Sequence, residues 1–227
     1  MLKKYIEHLE KSERELNLNF KNKRHLFNAL THPSFANENK VDSLFEKYEF
    51  LGDSVLNFVI TSYIFKEYPD YSEGELTVLR ASLVNEEVLT EVSEEINIKK
   101  LLLLGKGVDS ESLNKILVDA LESIVGAIFL DKGIEESEKF IKNALKSYLT
   151  GKKVLPVDYK TKLQEITLKK LGILPSYKVV KEKGPVHRRK YFTVVEIKGK
   201  MRGMGEGRSK KIAEQEAAKE AIKKGII

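Results

Sequence analysis

The chain has 227 residues, of which 41% are hydrophobic and 33% charged, and a formal net charge of +6. No apolar run reaches the roughly 20 residues of a membrane helix, and the first residues lack the apolar core of a secretory signal. We therefore expect a cytoplasmic protein with no membrane partner. Cysteine is absent, which excludes disulfides, thiolate zinc sites and cysteine nucleophiles. The four histidines lack metal-binding spacing and no Ser-His-Asp grouping is apparent, so any catalysis must use carboxylates and a metal ion.

Helical periodicity runs through the first two thirds of the chain and predicts an all-α domain over residues 1–151. The predicted helices are Leu2–Leu16, Lys23–Leu30, Leu44–Tyr68, Glu75–Ile96, Asn114–Leu130 and Glu135–Leu149. Pro33 and Pro69 each follow the end of a predicted helix. Ser72 and Glu75 have the spacing of a capping box, and Asn85 is a candidate N-cap for a further helix.

The helix predicted over Leu44–Tyr68 carries its acids on one narrow face. At about 100° per residue, Glu46, Glu49 and Asp53 fall within a stripe roughly 60° wide. Nearly every other position is apolar, Phe50 included, which predicts a buried helix. Carboxylates that lose solvation and repel one another need a positive partner, and a hard cation is the best candidate.

The helix predicted over Asn114–Leu130 has a similar acidic face, because Asp119 and Glu122 lie three residues apart in an otherwise apolar run. For any single acid, an ordinary surface carboxylate is the simpler explanation. Five acids in two buried-type helices would each need a basic partner, and arginine is scarce here. We therefore expect both acidic faces to meet around Mg²⁺, which takes oxygen ligands and works on phosphates. Glu73 is either a further acid at the rim or a carboxylate matched to a helix dipole.

The charge changes sign near residue 151. Residues 152–227 contain 21 Lys and Arg against 8 Asp and Glu, a net charge of +13, which leaves −7 for residues 1–151. A basic domain joined to an acidic one indicates that the second domain binds a polyanion. Residues 157–226 are predicted to form a small α+β domain in the order α-β-β-β-α. Its predicted elements are Asp158–Leu171, Ser176–Lys181, Lys190–Ile197, Lys200–Glu206 and Ser209–Lys224.

Two surfaces of this second domain suit nucleic acid before its last helix. Thr161, Gln164 and Glu165 share one side of the first helix and offer short polar groups for the 2′-hydroxyls and base edges of a shallow groove. His187 lies in a loop that ends in a basic run.

The last helix is a third candidate surface. Ser209, Lys210 and Lys211 stand at its start, where lysines oppose the helix dipole unless backbone N–H groups and ammonium groups together bind phosphate. A solvated basic face is the alternative explanation for this helix, and it accounts poorly for all three surfaces together. The same helix has a small-residue face suited to close packing on a sheet, formed by Ala213, Ala217 and Ala221. The preceding glycines are interpreted as turn and cap residues rather than a dinucleotide-binding motif: Gly203, Gly205 and Gly207.

The segment Glu46–Ser54, with the sequence EKYEFLGDS, resembles the signature of bacterial ribonuclease III, and the resemblance extends over nearly the whole chain. Residues 157–165 and 205–211 are similar to double-stranded-RNA-binding domains. The resemblance implies a multidomain protein, with an all-α endonuclease domain followed by a small α+β double-stranded-RNA-binding domain. It implies an Mg²⁺-dependent endoribonuclease, with Mn²⁺ as a substitute and no small-molecule cofactor. The implied substrates are ribosomal RNA precursors and structured transcripts, cut to leave 5′-phosphate and 3′-hydroxyl ends.

The resemblance also implies roles for the acids of the first domain. The metal ligands of the family are matched by Glu49, Asp53, Asp119 and Glu122. Of these, Asp53 and Glu122 match the positions most closely tied to catalysis. Glu46 and Glu73 match two outer acids that contact the substrate near the scissile bond.

Other implied roles concern the partners. Family members are homodimers, and Phe50 matches an aromatic residue that inserts into the partner subunit. The RNA-contact positions of the second domain are matched by Thr161, Gln164, Glu165, His187, Ser209, Lys210 and Lys211.

Two features depart from the family pattern. Tyr48 stands where many members have Leu, and the stretch Gly105–Asn114 is shorter than in many relatives and lacks their Gly-Gly pair. The second departure leaves the cleavage-site preference open. A non-catalytic double-stranded-RNA-binding maturation cofactor is the main alternative function, against which the complete acid set argues. A nuclease for DNA is another, against which Gln164, His187 and the type of second domain argue.

Overall fold

The computed structural model describes residues 2–109, 112–153, 155, 158–185 and 189–225, and the side chains from residue 5 onward within these ranges. The chain forms two compact units, Met1–Pro156 and Val157–Ile227. Within the described part of the chain, no helix combines the length and the apolar composition needed to cross a membrane.

The first unit is helical, as predicted, with a 3₁₀ turn at Ile98–Lys100 and one isolated β-bridge between Thr31 and Leu103. Its described helices are α1 (Leu2–Leu16), α2 (Lys23–Leu30), α3 (Pro33–Asn39), α4 (Phe45–Glu67), α5 (Glu73–Leu83), α6 (Glu86–Glu95), α7 (Leu113–Lys132), α8 (Ile134–Ala144) and α9 (Lys146–Leu149).

Apart from shifts of one or two residues at helix ends, the helices of the first unit differ from those predicted at three places. Pro33 begins α3, which was not predicted, because a proline fits the first helical position, where its missing N–H costs nothing. The predicted helix Glu75–Ile96 is two helices. The predicted N-cap at Asn85 is confirmed, because its side chain accepts a hydrogen bond of 2.9 Å from the Val88 N–H at the start of α6. A break at Leu145 separates α8 from α9. The predicted capping box of Ser72 and Glu75 is confirmed.

The helices α4 and α7 cross at a glycine on each helix. A Cβ atom built on Gly52 would lie 1.7 Å from the Glu122 carbonyl oxygen, and one on Gly126 would lie 2.3 Å from the Tyr48 carbonyl oxygen. Neither backbone could come this close past a larger side chain. A buried hydrogen bond from the Ser123 hydroxyl to the Phe45 carbonyl oxygen, at 3.3 Å, adds to the contact.

The prediction that α4 is buried on all sides is wrong for one face. Phe50, Phe58 and Phe65 are 79%, 60% and 69% exposed in the single chain. They are spaced eight and seven residues apart, which places them along one side of the helix. The opposite side packs in the core, where Leu56 and Ile60 are fully buried. Composition alone predicted burial because it does not show which apolar face the chain itself covers.

The second unit has the predicted α-β-β-β-α order. Its elements are α10 (Tyr159–Leu171), β1 (Ser176–Lys183), β2 (Lys190–Ile197), β3 (Lys200–Gly207) and α11 (Lys210–Lys223). The strands form an antiparallel sheet in the order β1-β2-β3, with Val179 opposite Thr193 and Val194 opposite Met204. Its core joins both helices to one face of β2.

The interpretation of Gly203, Gly205 and Gly207 as turn and cap residues is wrong, because all three lie in β3. A Cβ atom on Gly205 would lie 2.2 Å from the Ala213 carbonyl oxygen, and one on Gly203 would lie 2.3 Å from the Ala217 carbonyl oxygen. The alanine face of α11 therefore packs directly on the strand backbone, as its small residues predicted.

A side chain at Gly126 should disturb the α4–α7 crossing. Gly126→Ala should lower the free energy of unfolding by about 1–3 kcal/mol, because the new methyl group overlaps the α4 backbone. Thermal unfolding followed by circular dichroism measures the effect. Gly74→Ala is the matched control, because its Cβ has no neighbour within 4 Å and alanine favours a helix. Equal stability of Gly126→Ala and the wild type would contradict the close crossing.

Candidate active site

The α4–α7 crossing brings three predicted carboxylates together. Oxygen atoms of Glu49, Asp119 and Glu122 all lie within 4.8 Å of one another, and each side chain is partly buried. Glu49 lies just before Gly52 on α4, and Glu122 lies one turn before Gly126 on α7. The approach of the two glycines thus determines how near the acids of one helix stand to those of the other.

Glu122 is the most perturbed member of this group. Desolvation by burial, followed by repulsion from Asp53, Asp119 and Glu49, raises the pKa of Glu122 to about 8. A carboxyl group with this pKa is protonated for much of the time at neutral pH unless positive charge approaches it. The cluster therefore favours a cation at this position.

The pKa values of the other two members are shifted in the same direction. Burial and then Asp119 are the main causes that raise the pKa of Glu49, and burial is the main cause that raises that of Asp119. Lys115 partly opposes both shifts. It lies one helical turn before Asp119, so the exposed ammonium group is near the acids without cancelling their charge.

Asp53 lies outside the group of three, on the next turn of α4. Its side chain is exposed, and its Oδ1 accepts a hydrogen bond of 2.8 Å from the Asn57 side-chain amide. Its charge still contributes to the raised pKa of Glu122. Asp53 thus stands beside the cluster with one oxygen already oriented.

The two predicted outer acids occupy different surroundings. Glu46 is exposed one turn before Glu49, and its charge contributes to raising the pKa of Glu49. The pKa of the neighbouring His32 is lowered, because burial outweighs the opposing effect of Glu46. Glu73 is exposed at the first turn of α5 and accepts a hydrogen bond of 3.3 Å from the Thr77 hydroxyl, with no described contact to the three acids.

Three neighbours of the cluster were not predicted. The position of Lys115, four residues before Asp119 on the same helix face, could have been read from the sequence. Asn57 was accessible in the same way, four residues after Asp53. Glu86, whose charge contributes to raising the pKa of Asp119, comes from α6, and only the tertiary fold brings it near.

The second unit exposes the predicted contact residues of its first helix. Thr161, Gln164 and Glu165 are all exposed on α10, and their spacing places them on one face. The Thr161 hydroxyl donates a hydrogen bond of 2.8 Å to Asp158, the N-cap residue of this helix. Its oxygen can still accept from a ligand. His187 lies outside the described residues.

The predicted phosphate-contact residues Ser209, Lys210 and Lys211 lie at the start of α11. Ser209 is the N-cap residue, and its hydroxyl accepts from the Ile212 N–H at 3.2 Å. Lys210 and Lys211 occupy the first turn and are exposed, with the Lys210 ammonium 5.9 Å from the centre of the Tyr191 ring. Two cationic groups therefore flank the N-terminal end of a helix, where the dipole also favours an anion.

Comparison with protein-family models identifies both parts of the chain. Residues 22–149 match the Ribonuclease-III-like model, and residues 159–224 match the double-stranded RNA binding motif. The first range lies in the helical unit and the second in the α+β unit.

The similarity to curated relatives covers most of the chain. Ribonuclease 3 of Clostridium perfringens is 41% identical over 217 residues, covering 93% of this chain and 92% of that protein. Ribonuclease 3 of Clostridium tetani is 42% identical over 229 residues, covering 97% and 96%. Ribonuclease 3 of Bacillus licheniformis is 37% identical over 230 residues, covering 99% and 92%.

A solved structure supports the same relationship for the helical unit. The nuclease domain of ribonuclease III from Campylobacter jejuni, described as flexible in a region involved in dimer formation, is 35% identical. It superposes with a TM-score of 0.56 and covers 61% of this chain and 96% of that chain. The chain therefore belongs to the ribonuclease III family of endonucleases, with a helical nuclease domain followed by a double-stranded-RNA-binding domain.

Proposed function

We propose that the chain is an Mg²⁺-dependent endoribonuclease that cuts double-stranded RNA with the acids of the α4–α7 crossing. The observation that carries the proposal is the convergence of Glu49, Asp119 and Glu122 within 4.8 Å at a partly buried site. Structured transcripts and ribosomal RNA precursors are the proposed substrates, with 5′-phosphate and 3′-hydroxyl ends as products. The cytoplasm is the proposed location.

The donor set fits a hard divalent cation. Glu49, Asp119 and Glu122 offer only carboxylate oxygens, the ligand type that Mg²⁺ and Mn²⁺ prefer. Burial is the main cause that raises the pKa values of all three, neighbouring acids add to it, and Lys115 offsets only part of the shifts of Glu49 and Asp119. We assign the three acids as ligands, with Asp53 as a fourth acid at the edge of the site.

The chemistry follows from this assignment. A divalent cation held by Glu49, Asp119 and Glu122 would supply a water nucleophile at neutral pH and would offset the negative charge that develops on the phosphate. Asp53, with Oδ1 held by Asn57, orients the attacking water and accepts its proton. Glu122 is partly buried, and its carboxyl group would be ionised at neutral pH when the cation is bound. Glu46 and Glu73 contact the RNA near the scissile bond.

RNA binding is assigned to the second unit. Duplex RNA hides its major groove, so recognition relies on phosphates and 2′-hydroxyls across the minor groove. Thr161, Gln164 and Glu165 face the 2′-hydroxyls and base edges of one groove. A second contact binds phosphate through the start of α11, formed by Ser209, Lys210 and Lys211. His187 is proposed for a further contact.

A homodimer is proposed through the exposed aromatic face of α4. Phe50, Phe58 and Phe65 present apolar surface that the single chain leaves in water. The Campylobacter jejuni nuclease domain, which this unit resembles, is described as having a region involved in dimer formation. We assign Phe50 as the residue that inserts into the partner subunit.

Removal of the cation should make the stability depend on pH. Because folding raises the pKa of Glu122 to about 8, stability in chelator should fall as the pH rises from about 4.5 through 8. Since the side chain is partly solvated, the loss should be only on the order of 1 kcal/mol, or about 2–4 °C in Tm. Glu122→Gln should flatten this slope, and Mg²⁺ at pH 8 should stabilise the wild type more than the variant.

Thermal scans of both proteins between pH 5 and 8.5, with chelator or Mg²⁺, provide this measurement. Glu138→Gln, which changes an exposed carboxylate on α8, is the control and should retain the wild-type slope. Parallel slopes for the wild type and Glu122→Gln would count against an uncompensated charge at this site.

Glu122→Gln should separate cleavage from binding. Since glutamine keeps the shape but not the charge of the ligand, cleavage of labelled duplex RNA should slow by about 100-fold or more. Duplex affinity in chelator should stay within about twofold of the wild-type value, because phosphate contacts by basic groups supply it. Single-turnover cleavage and gel shifts measure the two quantities. Full cleavage by the variant, or by the wild type in chelator, would overturn the catalytic proposal.

Replacement of Lys210 and Lys211 by alanine should have the opposite effect. Duplex affinity should fall, and the slope of log K against log salt should become shallower by about 1–2, because each lost phosphate contact removes close to one unit. Cleavage at saturating RNA should change little. Replacement of Lys223 and Lys224, at the other end of α11, removes the same charge and serves as the control. An equal loss in both double variants would show that only net charge matters.

A further inference from the structure

We propose that Tyr48 is a positioning residue, whose hydroxyl, anchored to α2 by His25 and Asn28, places Glu49 for cation binding. This inference rests on the proposed function, in which Glu49 is a ligand of a divalent cation. It gives a role to the residue at which the signature segment departs from the family pattern.

The hydroxyl of Tyr48 has two polar partners on α2. The Asn28 side-chain amide donates to the hydroxyl oxygen at 3.3 Å, and the His25 Nδ1 lies 2.8 Å from the same oxygen. Because Asn28 donates, the hydroxyl satisfies both contacts when it gives its own proton to Nδ1. Tyr48 is only 8% exposed, so a lost partner would not be replaced freely by water.

The backbone of Tyr48 is held from the other side. Its carbonyl oxygen lies against Gly126 of α7, at the crossing where a Cβ atom would be 2.3 Å away. The residue therefore contacts α7 through its carbonyl group and α2 through its hydroxyl. Glu49 is the next residue along α4, so its orientation depends on how residue 48 is held.

The helix that anchors the hydroxyl is itself tied to α7. At the start of α2, the backbone N–H groups of Lys21 and Asn22 each donate a hydrogen bond of 2.8 Å to Asp131, at the end of α7. A closed chain of contacts results: α7 holds α2, α2 holds Tyr48, and the α4 backbone places Glu49 opposite Asp119. Apart from the α4 backbone, these contacts are the hydrogen bonds to Asp131 and to the Tyr48 hydroxyl, and the close backbone contact at Gly126.

A leucine at position 48 could fill the same space but would leave His25 and Asn28 without their shared partner. The three polar residues therefore act as one unit in this chain. Metal ligands must be held within about 0.5 Å of their productive positions, and supporting hydrogen bonds provide this restraint. Loss of the Tyr48 anchor should accordingly be detected as weaker cation binding.

The test measures Mn²⁺ binding to the full-length protein by electron paramagnetic resonance of the free ion, with Mg²⁺ as competitor. Tyr48→Phe and His25→Ala should each raise the Kd for the ion about 3- to 10-fold, the factor that corresponds to one hydrogen bond. The double variant should bind the ion no more weakly than Tyr48→Phe, because Tyr48→Phe already removes the contact with His25. Excess Mg²⁺ should restore most of the cleavage rate of Tyr48→Phe.

Tyr148→Phe is the matched control. Tyr148 is 6% exposed and its hydroxyl donates to Glu91, so the variant loses a comparable bond from the same unit. It should lower Tm without changing the Kd for Mn²⁺, whereas a merely structural role for Tyr48 would give the same result for Tyr48→Phe.

The outcomes separate the two proposals. If the wild type binds Mn²⁺ and both Tyr48→Phe and His25→Ala bind it equally well, the positioning role is overturned and the proposed function stands. Additive losses in the double variant would also overturn it, since the two residues would then act independently. If the wild type itself shows no saturable binding, the cation site fails, and this inference fails with it. His25→Ala changes a residue outside α4, so the question is decided even if Tyr48→Phe folds poorly.

Discussion

The backbone contact between α4 and α7 is the constraint on which the rest of the nuclease unit depends. Gly52 and Gly126 allow the two helices to approach closely. A backbone carbonyl oxygen of each helix lies where a side chain on the glycine of the other helix would begin. The helices are otherwise apolar at the crossing, so hydrophobic burial drives them together. Their few acids are then forced into one small volume, although electrostatic repulsion alone would separate them.

This forced approach is costly to the folded state and useful for its chemistry. The raised pKa values of Glu49, Asp119 and Glu122 express the free energy that burying these carboxylates, and placing them near other acids, costs the folded state. Stability for that arrangement comes from contacts elsewhere, such as the packing of Leu56 and Ile60. Strong perturbation of this kind, centred on a cluster with a single donor chemistry, is typical of functional sites.

Much of the fold was predictable because the patterns that indicate helices and strands lie within short stretches of sequence. Apolar periodicity gave the long helices, and the alternation in residues 190–197 marked the central strand of the sheet. The errors arose where the answer depends on tertiary contacts. Pro33 suits a helix end and a helix start equally well from sequence, and the glycines of β3 resemble turn residues until the alanines of α11 are packed on them.

The site was predictable to a similar extent. Acids spaced three and four residues apart on helical faces pointed to Glu49, Asp53, Asp119 and Glu122. Their division into three clustered carboxylates and a more exposed Asp53 could not be predicted, because it depends on the depth of the crossing. The effect of Glu86 on the pKa of Asp119 could not be predicted either, because Glu86 lies on a separate helix that only the tertiary fold brings near.

The aromatic face of α4 lies beside the acids on the same helix. Phe50 directly follows Glu49, so α4 carries both a ligand of the proposed cation site and the apolar surface proposed for dimer formation. A partner subunit that binds this surface would contact α4 within one turn of the acids. The activity per subunit should then fall when the protein is diluted, because dissociation of the proposed dimer would remove this contact with α4.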